Sequence, residues 1–143
     1  MKDDTIKLLR ETSAGIKMAI DSLSELVEHV ENENLRGLIF KSIDNHLEIR
    51  SIVRKLLEEC MDEEKEPAVM AKVMSHVKTS VKLELDESDE KVAELITDGC
   101  DMGVKSLYKY IGEYRNADEE AKKITQRLIK EEETLIREVE KYL

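Results

Sequence analysis

Gly15-Ile16-Lys17-Met18-Ala19-Ile20-Asp21-Ser22-Leu23 returns as Gly99-Cys100-Asp101-Met102-Gly103-Val104-Lys105-Ser106-Leu107, 84 positions later (99 − 15). Glycine, methionine, serine and leucine are identical, and Ala19/Gly103 and Ile20/Val104 match in kind. The small residues Gly15, Ala19 and Ser22, like Gly99, Gly103 and Ser106, fall at i, i+4 and i+7. On a helix that spacing makes one groove, so these six residues are assigned to close helix packing. The repeat predicts one bundle built from two similar helical hairpins.

Working outward from the repeat, Leu9, Ser13, Ile16, Ile20, Leu23, Val27 and Val30 keep an unbroken 4-3 spacing and predict a helix over residues 4–31. Asn32 and Asn34 mark a turn. A second helix over 35–61 has the seam Ile39, Ser42, His46, Ile49, Val53, Leu56, Cys60. The first seam shifted by 84 gives Ala93, Thr97, Cys100, Val104, Leu107, Ile111 and Tyr114, on a helix over 88–114. Asp118 is placed to cap a fourth helix over 119–142, with the seam Thr125, Leu128, Glu132, Leu135, Val139, Tyr142. Residues 62–87 are left as a crossover. They hold Pro67, the only proline, and a short amphipathic helix with Met70, Val73, Met74 and Val77. The fold class is therefore all-α: a ferritin-like four-helix bundle with one long crossover, in a single domain.

Composition agrees. The chain has 143 residues, 39% charged and 41% hydrophobic, with five Gly and no Trp, which suits helices around an aliphatic core. The net charge of −10 argues against nucleic acid and against an anionic membrane as partner. Cys60 and Cys100 show no framework spacing, Met1-Lys2-Asp3-Asp4 is polar rather than a leader, and no apolar run is long enough to span a membrane. These features lead to the expectation of a cytoplasmic protein with reduced thiols.

The segment Gly-x-x-Met-Gly-Val-Lys-Ser-Leu of the third helix resembles the Gly-Glu-Asp-x-x-Val-x-x-Tyr stretch of small uncharacterised bacterial ferritin-like bundles, a domain-of-unknown-function group. Leu35-Arg36-Gly37-Leu38-Ile39-Phe40 is similar to the start of their second helix, and the likeness extends over residues 12–140. Metal-using members of that fold carry one Glu on each of two helices and a Glu-x-x-His on each of the others. Carried over, the resemblance implies that the lone Glu positions are Ile16 and Cys100. The pairs become His46 with Ile49, and Glu132 with Leu135. Oxygen-activating iron or manganese needs several carboxylates, so the di-metal site reads as lost and no cofactor is expected.

His46 and Glu132 each interrupt a largely apolar seam, at equivalent positions. Either they meet across the core, or a seam is slipped by one residue, or one side chain reaches to water. Cys100 on its seam reads as a packed thiol. Glu25 with His29 and Asp98 with Asp101 are helical pairs of a common surface type, and His76 sits on the crossover stripe. The expectation is a non-catalytic, soluble structural or protein-interaction module. A homodimer through Met70, Met74 and Val77, or a different protein partner, would supply its contacts. The competing expectation is a metal-binding or redox protein with a reduced site at His46, Glu132 and Cys100.

Overall fold

The computed structural model describes residues 2–60 and 88–143, and among them are four long helices and no strand. Helix α1 is Lys2–Leu26, tightened at its end into a 3-10 turn at Val27–His29; α2 is Glu33–Cys60. Helix α3 is Asp89–Glu113, and α4 is Glu119–Val139, followed by a 3-10 turn at Glu140–Tyr142. The expected crossover helix, with Pro67, His76 and the Met70/Met74/Val77 stripe, lies outside the described residues.

The helices start where side chains satisfy free backbone N–H groups. Asn32 Oδ1 accepts from the Leu35 N–H at 3.0 Å, Ser88 Oγ from Lys91 at 3.1 Å, and Asp118 Oδ1 from Ala121 at 3.0 Å. Asn32 alone caps α2, since Asn34 is already helical. Asp89 also binds backward: its carboxylate accepts the N–H groups of Glu31 and Asn32 at 2.9 and 3.0 Å. At the other end, Asp4 accepts from Asn116 N–H at 3.1 Å and Thr5 Oγ1 from Asp118 N–H at 2.8 Å.

These cross-ties fix direction. The start of α3 lies beside the end of α1, and the start of α4 beside the start of α1. Each hairpin is antiparallel, α1 and α3 are antiparallel, and α2 runs parallel to α3. Around the bundle the order is α1, α2, α4, α3. Cys60 and Ser88 therefore stand at opposite ends.

The interior divides into two apolar clusters. One, near the α1–α2 turn, includes Leu23, Leu26, Val30, Leu35, Ile39, Val92, Ile96 and Leu135; the other includes Leu8, Leu9, Ile16, Ile49, Val53, Leu107, Ile124 and Leu128. The seams of α2 and α4 are buried over most of their length, with Leu56, Cys60 and Tyr142 half-buried at the ends. The seam of α1 drifts: Thr12 is buried in place of Ser13, and Ile20 is half-buried. A strict 3.5-residue repeat slips against the 3.6-residue turn of a straight helix, which explains the offset.

The small-residue groove does not close as expected. An added Cβ on Gly15 or Gly99 would meet no atom within 4 Å, Ala19 and Ser22 are half-buried, and Ser106 is exposed. On α3 the buried crest is Val92, Ala93, Ile96, Cys100 and Leu107, so Gly99 and Ser106 lie on its shoulder, facing outward. Only Gly103 has a close neighbour, and that neighbour is a side chain.

Within the second cluster Thr12 Oγ1 and Thr125 Oγ1 stand 2.8 Å apart, and each also approaches its own i−4 carbonyl, Leu8 O at 2.8 Å and Ala121 O at 2.9 Å. Two hydroxyl protons cannot serve three contacts, so one threonine donates to the other and only the other keeps its backbone bond. Thr125→Val alone should cost about 0.5–1.5 kcal/mol, by removing the contact between the two helices and leaving Thr12 only the Leu8 carbonyl. Thr12→Val with Thr125→Val should cost less than the sum of the single changes. Urea unfolding of the four-member cycle measures this, and strict additivity would show the contact to be idle.

Candidate functional site

Between the two apolar clusters lies a polar layer made by α2 and α4. The turn Ser42-x-x-x-His46 puts both residues on the buried face of α2, one turn apart, and Glu132 comes inward from α4. His46 is 1% exposed and Glu132 5%. His46 Nε2 stands 3.5 Å from Glu132 Oε2, so the structure brings the two interruptions of the seams together.

The imidazole is oriented from behind. His46 Nδ1 lies 2.8 Å from the Ser42 carbonyl oxygen, which can only accept, so Nδ1 carries a proton. Nε2 must then either donate to Glu132 as part of an imidazolium or accept from a protonated Glu132. Without a proton between them, two acceptors would face each other in the core. At 3.5 Å the contact is a charge contact rather than a closed hydrogen bond, and neither Nε2 nor Glu132 Oε1 has a hydrogen-bond partner.

The neighbouring carboxylate does a separate job. Half-buried Glu131 accepts from Ser42 Oγ at 2.8 Å and from Asn45 Nδ2 at 3.1 Å, fastening α4 to α2 beside the core pair. Ser42 thus serves both carboxylates, through its hydroxyl to Glu131 and through its carbonyl to the His46 ring.

Gly103 supplies the space for Glu132. Oε1 lies against the point a Cβ of residue 103 would occupy, with Cδ 3.3 Å and Oε2 3.6 Å from it. The glycine identified from the repeat is required here by a carboxylate, not by a neighbouring backbone.

Both members of the pair are shifted upward. Burial disfavours the His46 imidazolium, but the Glu132 carboxylate, the Ser42 carbonyl and the charge of Glu131 outweigh it and raise His46 above its ordinary value. Burial raises Glu132 too, against the opposing pull of His46. The two groups are coupled, each one's shift depending on the charge of the other.

Cys100 is buried in the first cluster, and burial, followed by the charges of Glu132, Asp101 and Glu131, pushes its thiol far up. Burial, with Asp118 next, also raises half-buried Cys60. Neither is an activated thiolate. Ile16, Ile49 and Leu135 are buried to 1% exposure or less, with Ile16 and Ile49 in one cluster and Leu135 in the other. Among the described residues no three His, Cys, Asp or Glu side chains gather in a way that could hold a metal ion; Glu25 with His29 and Asp98 with Asp101 are included in that statement. A di-metal centre does not fit this donor set. No described helix is long and apolar enough to cross a membrane.

Sequence reasoning found His46 and Glu132 from their place on apolar seams. It missed Asn45, Glu131 and the supporting role of Ser42. The available signal was adjacency: Asn45 precedes His46, and Glu131 precedes Glu132. In comparisons with known proteins, no family model, no curated protein and no solved structure matches the chain.

His46→Leu should cost about 3–5 kcal/mol by stranding Glu132, while His46→Leu with Glu132→Met should recover most of that loss. Because both folded values are raised, the folded state binds more protons. The stabilisation from His46 is full below its unfolded value of about 6.5 and is lost as pH rises through the raised folded value. The Glu132 contribution likewise falls above about 4.5. Urea unfolding across pH should therefore show wild type losing stability from neutral to alkaline pH more steeply than Glu132→Gln, and parallel curves would rule out a shared proton.

Glycine substitutions separate the cradle from the groove. Gly99→Ala should stabilise α3 by about 0.5–1 kcal/mol through helix propensity. Gly103→Ala should destabilise despite the same propensity gain, because it displaces the Glu132 carboxylate. Equal effects in thermal melts would mean that Gly103 cradles nothing.

Proposed function

We propose that this chain is a non-catalytic ferritin-like bundle that serves as a structural or protein-interaction module, its ancestral di-metal site lost. One long connection between α2 and α3, joining opposite ends of a four-helix bundle, supports the ferritin-like reading. The observation that carries the function is the donor set of the polar layer. Where the resemblance to bacterial ferritin-like bundles implies six ligands, the chain has three aliphatic side chains, a protonated thiol and one His–Glu pair that is already mutually engaged. That interior can hold a proton and fix helix register. It offers no nucleophile and no multi-carboxylate cage.

The rival is a reduced metal or redox site at His46, Glu132 and Cys100. Elemental analysis of purified protein, before and after challenge with iron, manganese and zinc, decides between them. The expected result is no stoichiometric metal. Stoichiometric metal that disappears in a His46→Ala, Glu132→Ala variant would overturn the reading.

A further inference from the structure

We draw no further inference here: the strongest candidate, the surface stripe of Phe40 and Leu47 on the outer face of α2 with the shallow groove at Arg50, Ser51 and Arg54 beyond it, carries nothing because nothing in the structure shows what covers it.

Discussion

The structure depends on a buried histidine and a buried glutamate that face each other across the core. His46 and Glu132 form the polar layer between the two apolar clusters, and they come from two helices that no turn connects. Apolar side chains alone would let α4 slide along α2 with little loss, because one leucine layer resembles the next. A histidine whose ring is fixed by the Ser42 carbonyl, beside a Glu131 bound to Ser42 and Asn45, distinguishes one position of α4 on α2 from its neighbours. A buried polar residue fixes register in this way in a coiled coil.

The ends of the bundle apply the same logic with cheaper chemistry. Asp89 holds the first turn and Asp4 with Thr5 holds the second, each by a side chain on one hairpin accepting from backbone of the other. These contacts lie near water, so each contributes little alone. Their value is geometric: together with the central layer they fix the two hairpins at three heights, which leaves neither translation nor tilt free.

Legibility followed the range of each interaction. The helices and the seams of α2 and α4 could be read because a 3.5-residue repeat of apolar residues has few other solutions, and His46 and Glu132 were visible as exceptions to it. Thr12 was not, because a small polar residue carries no periodic signal and the seam of α1 drifts by one position there. The role of Gly103 was half legible: the repeat marked it as a place without a side chain, but what fills that space comes from a helix thirty residues away in sequence and is set by packing. Glu131 was hidden by its neighbour, since two adjacent carboxylates on a helix look like solvated surface until one is seen to turn inward and the other toward Asn45.

Interior and exterior of α2 can be weighed against each other on these grounds. Its inner face is spent on fixing register, and every polar group there except Nε2 of the imidazole is satisfied by the chain itself. Its outer face holds two exposed apolar side chains and an exposed glycine, with Glu48 on the flank reaching Arg127 of α4 at 3.3 Å. Exposed phenylalanine and leucine in one stripe bring a solubility cost, and a helix-interior glycine weakens the helix it sits in. Among the described residues such side chains are not confined to α2, since Met102 and Tyr108 of α3 are more exposed than Phe40, so exposure alone does not set one face of the bundle apart.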